Sequence, residues 1–148
     1  HRVTTVFHDN GWEEFRLKAG SYVIDQRQYN FWQDETVIGY SKIADALPEY
    51  ISGYRIRWFR KTIEELKKYG KVYIVRLPIH NGVLGLEDRV WKDFDSEMSS
   101  VASDFEVVYL NYARTGEEYQ TYDGSHLYSA SAKKFSRDVA LEILGRHE

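Results

Sequence analysis

Residues 53–78, GYRIRWFRKTIEELKKYGKVYIVRLP, change their apolar period in mid-stretch, and that change decides the fold class. Ile56, Phe59, Ile63 and Leu66 recur every three or four residues, which sets them on one stripe of a helix, and Gly70 supplies a stop. KVYIVRLP is then a short apolar run rich in β-branched residues and closed by Pro78, the pattern of a buried strand. Downstream, residues 84–105 repeat apolar side chains at Leu86, Val90, Phe94 and Val101, a second amphipathic helix. EVVYLNY, residues 106–112, is a second strand. From about Ser129 to Leu144, Ala132, Phe135, Val139 and Ile143 align on one face of a third helix. Helix–strand–helix–strand–helix with short connections predicts an α/β fold, a parallel sheet covered by helices.

Upstream the pattern is less regular. VTTVF is a strand candidate, followed by a turn signal at Asn10-Gly11. SYVID and ETVIGY are further short strand candidates, and KIADALPEYI is a brief helix cut by Pro48. The expectation is one α/β domain over 1–148. Within it, 1–52 is an irregular, aromatic-rich segment of the lid or insertion kind, and 53–148 is the regular half.

Composition bounds the function classes. A chain of 148 residues with 43% hydrophobic content suits a single core. A net charge of −3 gives no field that points to nucleic acid or an anionic membrane. No apolar run approaches the roughly 20 residues of a membrane span. With no cysteine, disulfides, thiolate catalysis and Cys-based zinc sites are excluded. That absence, with no signal peptide in the sequence, favours a cytoplasmic setting. Aromatic residues make up 16%, including 12 Tyr and 4 Trp. They fit core filling, with a cleft or partner-facing surface as the alternative use.

The chemistry concentrates in YDGSHLYSASAKKFS, residues 122–136. It follows the second regular strand, and in a parallel sheet the loops at the carboxyl ends of strands converge on the ligand crevice. Asp123 and His126 stand three apart around Gly124. In a tight turn the carboxylate reaches the imidazole Nδ1–H, fixes its tautomer, and leaves Nε2 to take a proton from a nucleophile. A bare Asp-x-x-His arises by chance in a chain this long roughly one time in five, so spacing alone leaves a second reading open. In that reading Ser129 or Ser131 caps the helix, Asp123 makes an Asx-turn, and His126 is a surface residue.

The block YDGSHLYSASAKKFSRDVALEI resembles the last block of the SGNH (GDSL-type) hydrolase family, in which Asp-Gly-x-His-Leu precedes a helix that opens with small residues. VYIVRLPIH through FEVVYLNY is similar to that family's penultimate strand, helix and last strand. The resemblance covers about Ile56 to the C-terminus. It implies a three-layer, flavodoxin-like fold, incomplete at the N-terminus, and hydrolysis or transfer of acyl esters. It also implies His126 as general base and Asp123 as its orienting acid, with no cofactor. The family's Gly-Asp-Ser and Gly-x-Asn-Asp motifs do not occur in this sequence. Ser41, in TVIGYSK, is the candidate nucleophile by position, and Asn10, in HDNGW, the candidate oxyanion donor. The competing expectation is a serine upstream of His1, the chain being the C-terminal portion of a longer hydrolase. The family's range and the aromatic content suggest a small-molecule or saccharide ester as substrate. The alternative is a non-catalytic binding or interaction domain on the same fold.

Other candidates weigh less. His8 and His80 could join Asp123 and His126 around a metal, but no pair of ligands has helical or hairpin spacing, so no metal is expected. His80 follows the first regular strand and is a substrate-contact candidate at the crevice. Arg76, inside that strand, needs an acidic partner. WFRKTIEELKKYGK interleaves its cations with Glu64 and Glu65, the mark of a solvated helix face. GVLGLED lacks both a preceding strand and a following Lys-Ser/Thr, so no phosphate loop is present.

Overall fold

A computed structural model describes residues 3–9, 11, 13–17, 26–46 and 53–145. In chain order these form β1 (Val3–Phe7), β2 (Glu13–Leu17), α1 (Gln26–Ala46), α2 (Gly53–Leu66), β3 (Tyr73–Arg76), α3 (Asn81–Val90), α4 (Phe94–Asp104), β4 (Val108–Asn111) and α5 (Ser129–Gly145). The fold is mixed α/β. β3 and β4 run parallel, with Tyr73 opposite Val108 and Arg76 opposite Asn111, as the alternation of helix and strand predicts. β1 and β2 form a separate antiparallel hairpin, turning through Gly11 at φ 81°. β1 was expected at VTTVF; β2, within residues 13–17, was not.

The N-terminal third corrects the sequence reading. ETVIGY is not a strand: it belongs to the 21-residue helix α1, which also takes in Lys42–Ala46 of the expected brief helix. Local β preference in Thr36-Val37-Ile38 gives way to packing at the helical period. Tyr29, Gln33, Thr36, Val37 and Ala44 are buried or half-buried along one side, while Phe31, Ile38 and Tyr40 are exposed. That side lies on α3, and a Cβ placed on Gly82 would meet Val37 Cγ2 at 3.0 Å. The strand expected at SYVID and the break expected at Pro48 lie outside the described residues.

The single helix expected over 84–105 is two. The chain leaves α3 at Trp91, whose N–H donates to the Glu87 carbonyl, and α4 begins after Asp93. Asp95 and Glu97 in its first turn suit the positive end of the new helix. α4 closes on a Schellman motif: Glu106 N–H donates to Ser103 O over 3.1 Å and Val107 N–H to Ala102 O over 2.9 Å, with Glu106 at φ 53°.

Arg76, at the end of β3, fastens both of these helices to the strand. Its guanidinium meets Asp95 at 2.6 Å and Glu87 at 2.9 Å, and lies 4.6 Å from the centre of the Phe94 ring. Tyr109 on β4 donates to the same Asp95 carboxylate at 2.8 Å. The acidic partners demanded by a charge in a strand are therefore present.

The core runs through Ile63, Val83, Leu84, Met98, Val101, Leu110 and Phe135. α5 is seated by three rings in edge-to-face contact, Tyr112, Tyr119 and Phe135, with centroids 5.0–6.2 Å apart. Tyr112 donates to Glu142 and Tyr119 to Asp138, so each phenol ends on a carboxylate of α5. Burial plus the Glu142 carboxylate push the Tyr112 phenol up to about 12.

Among the described residues β3 is left partly uncovered. All four residues of β3 are only half-buried, whereas strands of a parallel sheet are ordinarily covered on both faces. An apolar cleft of about 850 Å³ follows this strand, touching every residue from Ile74 to Ile79. Side chains alternate between faces along a strand, so contact with consecutive residues means that the cleft wraps an edge. Ile56 and Phe59 of α2 point into it. Leu66, the last residue of the expected α2 stripe, is 50% exposed.

Candidate active site

The loop after β4 is shaped by the residues that sequence reasoning singled out. Thr121 and Leu127 bridge antiparallel, and Tyr122 N–H donates to the His126 carbonyl over 2.9 Å, which closes a tight turn around 123–125. Gly124 takes φ +96°, a conformation L side chains rarely adopt. Asp123 Oδ1 then accepts the backbone N–H of Ser125 at 3.0 Å and of His126 at 2.8 Å, an Asx-turn. The other oxygen, Oδ2, lies 2.8 Å from His126 Nδ1. One carboxylate thus makes both the Asx-turn and the contact to the imidazole.

The electrostatics of the pair are legible at the carboxylate. Burial pushes the Asp123 carboxyl up, but the two backbone N–H groups and the imidazole outweigh it and hold it below its ordinary value. An ionised Asp123 accepts the Nδ1–H, so the lone pair of the neutral ring is on Nε2. The His126 side chain is 67% exposed against 22% for Asp123, so the imidazole is open to solvent and the carboxylate is sheltered.

The loop is held to the neighbouring strand end. His80 N–H donates to the Gly124 carbonyl over 3.0 Å. A Cβ on Gly116 would come within 2.6 Å of the Ile79 carbonyl oxygen, which shows how closely the segment after β4 approaches the segment after β3. Asp123, His126 and His80 therefore lie together at the carboxyl end of the parallel pair. The His80 ring is also engaged structurally: its Nδ1 accepts from Gly82 N–H at 3.2 Å and caps α3.

Ser41 is not brought into this arrangement by any strand-to-helix turn. It lies inside α1, and its hydroxyl points along the helix to Asp45, 3.5 Å away. Asn10 lies outside the described residues. Ser125 is the serine nearest the base, with Oγ 3.1 Å from His126 Nδ1 and 3.4 Å from Asp123 Oδ1. It occupies the Asp123 side of the ring, whereas a nucleophile activated by His126 must meet Nε2. Among the described residues no group of three or more His, Cys, Asp or Glu gathers to hold a metal ion, and no helix is long and apolar enough to cross a membrane.

Sequence reasoning missed the rings around the base. Tyr122 stacks on His126, with centroids 5.7 Å apart and planes at 20°. Tyr128 meets Tyr122 at 5.9 Å and Tyr29 of α1 at 6.3 Å, the last pair stacked at 19°. Two of these three tyrosines flank the Asp-x-x-His block in sequence and were visible there. The third ring became legible only with α1 in place. No family model matches the sequence, and searches of curated proteins and of solved structures return no similar protein.

Proposed function

We propose that the chain carries the general-base half of an SGNH-like serine ester hydrolase acting on an O-acyl ester. The observation that carries this reading is the Asp123–His126 pair, with Nδ1 2.8 Å from the carboxylate on a largely exposed ring in the loop after β4. In the reaction His126 takes the proton of a serine hydroxyl as it attacks the ester carbonyl. It then returns that proton to the departing alkoxide, leaving an acyl-enzyme that water hydrolyses through the same base. Asp123 stays ionised throughout and stabilises the imidazolium. In this reading the serine and the oxyanion donors lie outside the described residues, Ser41 being committed to α1 and Ser125 to the other ring nitrogen.

In the same reading, β3 and β4 are the edge of a larger three-layer, flavodoxin-like sheet whose next strand pairs along β3. The open apolar cleft on that strand supports this, as does the marginal stability of two-stranded sheets in water.

The test is hydrolysis of p-nitrophenyl acetate by the longest natural chain that contains these residues. His126→Ala is expected to lower kcat by about 10³-fold or more, and Asp123→Asn by a comparable factor, through loss of the oriented base. Undiminished turnover in His126→Ala rules out the mechanism. Absence of esterase activity in the longest chain favours the rival reading, a binding domain without catalysis.

A further inference from the structure

The tyrosines of this protein fall into two groups. Tyr109, Tyr112 and Tyr119 each donate to a carboxylate, Asp95, Glu142 and Asp138 respectively, and serve as struts. Tyr29, Tyr122 and Tyr128 do not. Their rings are half-buried, and their hydroxyls are not among the buried polar atoms left without a partner, so the phenol ends reach the surface. These three run in a row that ends on the exposed imidazole of His126.

A second observation falls on the same face. Gln33 is 8% exposed, and its carboxamide Nε2 has no hydrogen-bond partner. It stands one turn beyond Tyr29 on the side of α1 where Tyr29 stacks on Tyr128 and Thr36 approaches Gly124. A buried donor left unmade costs free energy, and a ligand hydroxyl or carbonyl is a natural acceptor for it. The charge of the neighbourhood selects the ligand further. Between Arg114 and Lys133 the sequence has no lysine or arginine, but it has Glu117, Glu118 and Asp123. Glu118 is paired with Lys134, and a phosphorylated or sulfated ligand beside His126 would meet the Asp123 carboxylate.

We propose that Tyr29, Tyr128 and Tyr122, with the Gln33 carboxamide, form a subsite for a neutral saccharide that leads to His126. Sugar rings combine apolar C–H faces with a rim of hydroxyls. Aromatic planes edged by surface phenols and a planar amide offer the complementary surface, which an aliphatic acyl chain would leave with polar groups unpaired. This assignment rests on the ester-hydrolase reading for its place in catalysis, and it names the alcohol part of the substrate: a sugar hydroxyl carrying the acyl group.

The subsite is tested without turnover, using the full natural chain and unacylated cellohexaose, xylohexaose, maltohexaose and chitohexaose as probes in saturation-transfer NMR and calorimetry. At least one hexasaccharide is expected to bind. Tyr29→Ala and Tyr128→Ala should weaken it about ten-fold, Gln33→Met several-fold, and Tyr29→Phe less than Tyr29→Ala because the stacking plane survives. Circular dichroism identifies any variant that fails to fold, and Tyr29→Ala, on the outer helix, is the one expected to keep the native spectrum. No binding by any of the four sugars overturns the subsite, as does unchanged affinity in natively folded Tyr29→Ala. Hydrolysis of p-nitrophenyl acetate by the wild-type protein, measured alongside, separates the two readings. Binding without hydrolysis retains the subsite and removes the esterase, and hydrolysis without binding does the reverse.

Discussion

His80 donates its backbone N–H to the Gly124 carbonyl over 3.0 Å, and this bond ties the loop that bears His126 to the end of β3. The same residue caps α3 through its ring. One histidine thus links a strand end, a helix start and the Asp123–His126 turn. Placement of His126 consequently depends on backbone conformation at Gly124 as much as on the two side chains.

Gly124→Ala tests that dependence. At φ +96° an alanine is strained whatever the space around it, although Val83, His80 and Thr36 would lie at ordinary contact distances of 3.5–3.8 Å. The cost is about 2 kcal/mol if the turn persists. If it relaxes instead, the Asx-turn opens and Asp123 loses its hold on His126. Urea denaturation should show the lower stability, and esterase activity of the longest chain should fall with it.

Acid should loosen the turn through Asp123. Its folded carboxyl lies below the ordinary value of 3.8. A group depressed in this way contributes stability above its unfolded pKa and loses it as pH falls through the folded pKa. Wild-type stability should therefore decline below about pH 4, and Asp123→Asn should be destabilised at pH 7 but approach the wild type at pH 3. Thermal unfolding across that range measures the difference. A constant gap between the two proteins would show that ionisation of Asp123 contributes nothing.

How much of this was legible in the sequence follows from where local and tertiary forces agree. From Gly53 onward they mostly agree, the exceptions being the break at Trp91 and the exposed Leu66. Ile63 and Phe135 are buried on the stripes their spacing defines, and the parallel register of β3 and β4 follows from the intervening helices. In α1 they conflict, because Thr36-Val37-Ile38 prefers a strand by β-branching, and only contact with Gly82 and the 122–128 loop rewards the helix. The Asp123–His126 bond was legible because a turn brings positions three apart together. The Tyr29 stack was not, since it spans about a hundred residues of chain. The split at Trp91 was hidden because the apolar period continues through Phe94 into α4.

The Arg76 cluster gives a second prediction of the same pH character. Arg76 is 10% exposed on its side chain, while Asp95 and Glu87 are 34% and 41% exposed. Burial pushes the Asp95 carboxyl up, but the Tyr109 hydroxyl and Arg76 hold it below its ordinary value. Arg76→Met leaves two carboxylates without their cation. Partial solvent access reduces the cost below that of a fully buried pair, to about 2–3 kcal/mol. Asp95 then titrates higher, so the deficit should be greatest at neutral pH and shrink on acidification. Melting temperatures at pH 7 and pH 4 read the change.

Glu106 offers the converse, a position where substitution should stabilise. It is a non-glycine residue at φ 53°, the C′ site of the Schellman motif that ends α4. Left-handed backbone costs an L residue roughly 1–2 kcal/mol, and a carboxylate at a helix C-terminus also faces the negative end of the dipole. Glycine removes both penalties, but its freer unfolded chain takes back part of the gain. Glu106→Gly should therefore raise stability by about 0.5–1 kcal/mol, seen as a higher urea midpoint with an unchanged m-value. Glu106→Val, β-branched and intolerant of this conformation, should lower the midpoint. If both variants shift it in the same direction, backbone strain at Glu106 is not what limits the stability of this helix end.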